Sequence, residues 1–323
     1  MASEPAERPV TERAPSTEWV HAPERGSATV LAAGVFLAVR IGRPLARKIL
    51  HCVSAYYFVF GPDARRWSRD YLRRILGHWP SARERYRQYY YFATTILDRF
   101  YFLQERHDFF DITTDGEQVM VDTYGHGKGA FLLGAHHGSF ALVSAIGRRR
   151  RTLKVAMAMY DEQAGPITRF FRMSKAPNAP EVIPLGHLEA MLRIRDCLEE
   201  GKFVGMLGDR SIANAPAQLV TFLGSPALFP TGPMRVAAAL RRPVIFMTGL
   251  YRGGNRYHVV FRQIADFSQP TPGGRDAAIR AAIVRYAQVL EQYCRSDPYN
   301  WYNFYNFWHG AELPDESARR GSA

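Results

Sequence analysis

The chain has 323 residues, 47% of them hydrophobic, enough to bury the core of one large α/β domain or two smaller ones. Its three cysteines, Cys52, Cys197 and Cys294, lie far apart, which argues against a disulfide scaffold and a paired-cysteine metal motif and fits a reducing compartment. A formal charge of +12 points to an anionic partner; without a zinc finger, an RNA-binding aromatic signature or a long basic tail, nucleic acid is the weakest choice.

Residues 1–18, rich in Pro, Glu, Arg and Ser, read as a disordered tail without a signal-peptide pattern. The apolar run 28–39 ends at Arg40, short of the roughly 20 residues a spanning helix needs. Arg40, Arg43, Arg47 and Lys48 then alternate with Ile41, Leu45, Ile49 and Leu50, followed by the aromatic stretch 53–60. Two readings stand ahead of a true span across 28–60: helices lying on an anionic membrane surface, or an amphipathic pair packed on the protein's own core. Gly61-Pro62-Asp63 opens a helix that carries five arginines to Leu76, and Gly77-His78-Trp79-Pro80 breaks it. Residues 82–105 form a long helix with Tyr86, Tyr89, Tyr90, Ala93, Ile96, Leu97 and Phe100 on one face. Tyr91, Phe92, Tyr101 and Phe102 lie off that stripe, so protein or membrane covers a second face. Asp98 and Arg99 also fall off it and read as polar surface rather than an ion pair.

From Phe109 the period shifts toward strands, with short extended segments at Asp108–Thr114 and Gln118–Val121. The apolar run 129–134 reads as a buried strand. It ends at His136-His137-Gly138 and turns into a helix through Val143 and Ile146, closed by Arg148–Arg151. Strands at 153–158, 179–184 and 203–207 alternate with helices at 166–174 and 188–199, and the last strand ends at Gly208-Asp209-Arg210. Residues 211–220 read as a loop, and Thr231 as the cap of a helix running to Leu240. Strands at 243–249 and 257–261 flank a Gly253-Gly254-Asn255 turn, before a helix at 275–293 and an aromatic end from Tyr299 to Trp308. The pattern predicts an α/β fold with a mostly parallel central sheet flanked by helices and with N-terminal membrane-associating helices. Residues 19–106 form that helical segment, 107–310 the α/β core and 311–323 a second disordered tail.

The chemistry is expected where the strand ends in two histidines, since open α/β sheets bind ligands at the carboxyl ends of their strands. Histidine is also the side chain best suited to exchange a proton near neutral pH. A histidine at a strand end is as often a satisfied structural group. No metal site is expected, because the other histidines show no ligand spacing.

Four blocks together carry a family resemblance over roughly residues 20–310: Gly134-Ala135-His136-His137-Gly138-Ser139-Phe140-Ala141, then Gly208-Asp209-Arg210, then Phe222-Leu223-Gly224-Ser225-Pro226-Ala227 running into Phe229-Pro230-Thr231-Gly232-Pro233, and finally Asp297-Pro298-Tyr299-Asn300-Trp301-Tyr302-Asn303-Phe304. In these the chain resembles the lysophospholipid acyltransferase superfamily, in the branch of the late lipid A acyltransferases of bacteria. The resemblance implies transfer of a fatty acyl group from an acyl carrier protein or acyl-CoA to a hydroxyl or amine of a lipid, without a further cofactor. It implies His136 as general base, and Arg210 with amides near Gly232 as contacts for an oxyanion or phosphate. Arg210 is also plausible as a structural partner of Asp209. His137, Ser139, Asp209, Gly224, Phe229, Thr231 and Gly232 are the substrate-binding residues it suggests, although Ser139 also reads as structural. Phe170, Phe171, Leu228 and Phe229 would line an acyl tunnel or simply belong to the core. The implied location is the cytoplasmic face of a bacterial inner membrane, peripheral or monotopic, with an anionic membrane surface as partner.

The chain departs from the family at Ala141, where an Asp or Glu is expected five residues after the histidine. Alanine cannot orient an imidazole. Three explanations compete: a replacement that disables the protein, which the intact block around it favours; recruitment of a distant acid, Glu162, Glu189 or Asp209; or a membrane-surface protein that binds lipid without turning it over.

Overall fold

The computed structural model describes residues 40–125, 127–143, 154–160, 181–210, 215–270 and 273–309. The tails at 1–18 and 311–323, the apolar run 28–39, Arg148–Arg151, Glu162 and the helix 166–174 with Phe170 and Phe171 lie outside the described residues.

Three helices lead into the sheet: α1 (Arg43–Phe60), α2 (Pro62–Leu76) and α3 (Ala82–Leu103). Pro62 sits in the first turn of α2, where a missing N–H costs nothing, and Gly77 ends that helix in the left-handed conformation at φ 72°. Ser81 and Glu84 open α3 with a reciprocal capping box. Then follow β1 (Asp111–Asp115), α4 (Glu117–Gly125), β2 (Phe131–Gly134), β3 (Val155–Tyr160), β4 (Glu181–Leu185), α5 (Leu188–Glu199), β5 (Phe203–Leu207), β6 (Ala217–Phe222), β7 (Ser225–Pro230), α6 (Gly232–Ala239), β8 (Pro243–Tyr251), β9 (Arg256–Asp266) and α7 (Arg275–Ser296).

The fold is α/β, with a seven-stranded sheet in the order β1-β9-β8-β2-β5-β3-β4. Its pairings are parallel except for the β8–β9 hairpin, so the sheet is mixed and mostly parallel. Strand β2 lies between β8 and β5, and each of its four residues is buried. An apolar run without alternation is what a strand covered on both faces requires. Phe131 and Leu133 face one layer with Val204, Met206, Phe246 and residues of α5 and α7. Leu132 faces the other with Phe203, Ile245, Met247 and residues of α1 and α3.

Four sequence expectations are corrected. Gln118–Val121 is not extended but part of α4. Gly116 at φ 76° ends β1, and the Gln118 amide then bonds the Asp122 carboxylate one turn on. The expected loop at 211–220 contains the start of β6, whose partner β7 is reached through a two-residue turn. Leu223 and Gly224 both have positive φ there, 51° and 78°, as the tightest hairpins need. Thr231 stands at the start of α6 but does not cap it: its hydroxyl donates to the Pro216 carbonyl, and its own backbone is already helical.

The fourth correction concerns Asp98, which is fully buried. The Arg43 guanidinium grips it through two bonds of 2.7 and 2.8 Å, and the Tyr257 hydroxyl donates to it at 2.8 Å. Helical periodicity within α3 could not show this, because the face off the aromatic stripe is covered by α1 and β9. Tyr91, Tyr101 and Phe102 are buried on α3 too, with Tyr91 edge-on to Tyr251 and Phe102 edge-on to Tyr257. Protein thus covers these residues of the second face.

Candidate active site

Strands β2 and β5 are parallel neighbours, and Gly134 pairs with Leu207 at their ends. His136 and Asp209 each lie two residues beyond that pair. Equal overrun from a shared register brings the two side chains together above the sheet. The His136 ring nitrogen Nδ1 lies 2.9 Å from Asp209 Oδ1, and the His136 backbone N–H donates to Asp209 Oδ2 at 3.0 Å. The Trp301 indole N–H donates to the same Oδ2 at 3.1 Å. Asp209 is 1% exposed, so these donors take the place of water around a buried charge. Its ring contact fixes the tautomer of His136 with the proton on Nδ1, leaving Nε2 as the basic nitrogen. The imidazole keeps 32% of its side-chain surface exposed.

The electrostatics favour a neutral histidine beside an ionised acid. Burial and the Arg210 charge push His136 below its ordinary value, and Asp209 only partly offsets them. Burial alone would raise Asp209, but the charge and hydrogen bonds of His136, with the Arg210 charge, hold it well below the usual carboxylate range. Arg210 donates to the Tyr302 carbonyl at 3.3 Å and stacks its guanidinium 4.8 Å from the Tyr305 ring.

The aromatic C-terminal block builds the second wall. The Tyr302 N–H donates to the His136 carbonyl, and the Gly138 N–H to the Asn300 carbonyl, both at 2.8 Å. Asn300 uses both ends of its amide on the backbone of Tyr251, at 2.8 and 3.1 Å, and so ties this block to the end of β8. The N-terminal helices support it from behind. Gln88 on α3 donates to the Trp301 carbonyl at 2.6 Å, and the Tyr71 hydroxyl on α2 to the Pro298 carbonyl at 2.8 Å. Gly138 is at φ 71°, and a side chain there would lie 2.4 Å from the Gly249 carbonyl oxygen. Only glycine lets the chain turn so close to β8.

Among the expected site residues, the structure brings His136, Asp209 and Arg210 together and adds Trp301 to them. His137 is 2% exposed, its Nδ1 lying 3.1 Å from the Thr248 hydroxyl, which in turn donates to the His137 carbonyl at 2.7 Å. Ser139 is also buried; its hydroxyl accepts weakly from the Leu142 N–H at 3.4 Å at the start of the helical residues 140–143. Ala141 lies in those helical residues, half-buried. Phe229 is fully buried between Phe222 and Tyr286, a core position rather than an open lining. Gly224 is an exposed hairpin turn, and Thr231 and Gly232 form the start of α6. Of the distant acids, Glu189 is exposed on α5, which follows a strand three places from β2. The Asp209 pairing and the Trp301 contact depend on strand order, which the linear sequence does not display. The one available signal was that both blocks end a buried apolar run.

A histidine and a carboxylate on adjacent parallel strand ends define an α/β protein whose site suits proton transfer from a bound hydroxyl or amine. The chain belongs to the bacterial lipid A biosynthesis acyltransferase family, whose model matches residues 16–309. A search of curated proteins finds no match. The resemblance carried by the four blocks is thus established at the level of the family, and with it general acyltransferase character.

Proposed function

We propose that this protein moves a fatty acyl group from an acyl-carrier-protein or acyl-CoA thioester to a hydroxyl or amine of a lipid or glycolipid, with His136 as general base and Asp209 as its orienting acid. The observation that carries this reading is the 2.9 Å contact between His136 Nδ1 and Asp209 Oδ1. The acceptor hydroxyl gives its proton to His136 Nε2 as its oxygen bonds to the thioester carbonyl carbon. The tetrahedral intermediate then expels the thiolate, the C–S bond breaks, and the same proton passes from the imidazolium to sulfur. Asp209 remains ionised and stabilises the imidazolium. Arg210 stands beside this pair as a positive group for the developing oxyanion or a substrate phosphate. Asp209 takes the part that an acid at position 141 would have, so Ala141 does not disable the protein.

The lipid acceptor fits a protein that works on an anionic membrane surface, at the cytoplasmic face of a bacterial inner membrane. On α1, Leu45, Ile49, Val53, Tyr56 and Phe60 recur at helical spacing and are exposed, with Lys48 beside them. Such a face suits the interface of an anionic bilayer. Among the described residues no helix is long and apolar enough to cross a membrane.

The test incubates the wild type, His136→Ala and Asp209→Asn with labelled acyl-carrier protein or acyl-CoA and a total lipid extract, followed by mass spectrometry of the lipids. Labelled lipid from the wild type and a loss of at least about a hundredfold in both variants is the expected result. Lipid binding without transfer by the wild type would overturn the enzyme reading in favour of a non-catalytic lipid-binding protein.

A further inference from the structure

The aromatic block contains a buried amide that the mechanism above does not use. Asn303 is 1% exposed, and neither its amide nitrogen nor its amide oxygen has a hydrogen-bond partner among the described residues. An asparagine amide has donors and an acceptor to satisfy, and buried ones are nearly always paired. The other two buried amides beside it are satisfied: Asn300 uses both ends of its amide on Tyr251, and Gln88 both donates to Trp301 and accepts from Ser68.

The position of Asn303 follows from the alternation of the segment. Tyr302 and Phe304 both pack against Phe92 on α3, at 5.1 and 5.6 Å between ring centroids. Tyr302 belongs to the layer under α3, whereas Trp301 belongs to the opposite one. Side chains along an extended segment alternate between sides. Asn303 therefore shares the side of Trp301, whose indole touches Asp209. The carbonyl of Tyr302, covalently joined to the Asn303 nitrogen, accepts from Arg210.

We propose that Asn303 is a further catalytic residue, its side-chain amide donating to the acyl carbonyl oxygen as that oxygen becomes anionic. The inference rests on the acyltransferase reading of the His136 site. An amide unpaired in the resting protein does not have to break a bond before it meets the substrate. The amide is enclosed in the resting protein, so the acyl carbonyl reaches it as the side chains covering it give way, and it then acts in a water-excluded site.

The experiment compares Asn303→Leu, which keeps the branching and the number of heavy atoms without polar ones, with Asn303→Ala, the wild type and His136→Ala in the acyl-transfer assay. Thermal midpoints are measured alongside. For Asn303→Leu the expected result is an unchanged or higher midpoint, because an unpaired buried amide has been replaced by apolar surface. Its kcat falls about 10²–10³-fold, the scale of one lost oxyanion donor, with little change in KM for the lipid. Asn303→Ala loses activity to the same extent. Transfer by Asn303→Leu within threefold of wild type overturns the proposal. So does a lower midpoint in both variants, which marks a structural amide. If the wild type transfers nothing, or His136→Ala transfers as fast, the acyltransferase reading itself falls. If those two controls behave as expected and Asn303→Leu matches the wild type, the role of Asn303 alone falls.

Discussion

The Asp209 carboxylate bonds the His136 residue twice, once through the ring nitrogen at 2.9 Å and once through the backbone N–H at 3.0 Å. One acid thus fixes both the rotation of the imidazole and the course of the chain that carries it. The Trp301 indole at 3.1 Å fixes the acid in turn. In a family where the orienting acid is expected five residues after the histidine, on the same segment, this chain has Ala141 there. A carboxylate that follows the neighbouring strand, 73 residues further on, makes the contact with the imidazole.

This arrangement gives opposite expectations for two substitutions. Asp209→Asn keeps the shape but removes the charge and allows the wrong tautomer, so acyl transfer falls about 10³–10⁴-fold, as it does when other relay acids become amides. Ala141→Glu adds an acid although Asp209 already accepts the hydrogen bond from the ring N–H, so the rate stays within about threefold of wild type, an expectation of the same relay logic. Initial rates with labelled acyl-carrier protein check both. A large gain from Ala141→Glu would mean that position 141, not Asp209, is where the orienting acid is needed.

The pH dependence follows from the charges around His136. Burial and Arg210 lower its pKa, and Asp209 raises it. The acidic limb of kcat/KM therefore lies below the ordinary histidine value of about 6.5. Arg210→Gln removes a lowering charge and moves that limb upward, whatever it does to the maximal rate. Asp209→Asn removes a raising charge and moves it downward. A pH–rate profile of each variant reads these signs.

The sequence made the scaffold legible where one element contributes its own periodicity. The expected limits of the helix 188–199 and the strand 203–207 coincide with α5 and β5. Sequence alone misleads where partners decide. Gln118–Val121 had the composition of a strand, but Gly116 turns the chain before it, so the segment joins a helix. Ala217–Phe222 needed β7 beside it to become a strand. Asp98 looked like surface because its partner, Arg43, lies 55 residues away on another helix. The same limit applies to the site. His136 stood out because the residues beside it in sequence are unusual. Asp209 could be named only as one of three acids until strand order set β5 beside β2. Asn303 carried no signal at all, because what distinguishes it is a missing bond.

The Arg43–Asp98 pair gives a stability prediction. Arg43 is 8% exposed and Asp98 fully buried, and Tyr257 completes the acid's hydrogen bonding. Asp98→Ala strands a guanidinium in the interior and destabilises the protein by roughly 3–5 kcal/mol. Removing both charges, in Arg43→Met with Asp98→Leu, leaves no unpaired ion and recovers most of that loss. Urea unfolding of Arg43→Met, Asp98→Leu and the double variant measures the coupling. Single losses that simply add would show that the two charges do not act as a pair.

His137, the neighbour of the proposed base, gives the protein an acid-sensitive element. Burial pushes its pKa down to about 4, against 6.5 for an ordinary histidine, and nearby Asp297 and Asp209 only partly oppose this. A group with a depressed folded pKa contributes stability that is present above the unfolded value and lost as pH falls. Between pH 6.5 and about 4 the unfolded chain binds a proton at this position that the folded chain does not. Stability therefore declines through that window, by up to about 3 kcal/mol from this group alone. His137→Asn keeps a polar atom for the Thr248 hydroxyl but does not titrate, so its stability falls less steeply over the same range. Urea midpoints of wild type and variant at several pH values between 4 and 7 check this. Parallel curves would mean that His137 titrates normally and that the loss comes from other groups.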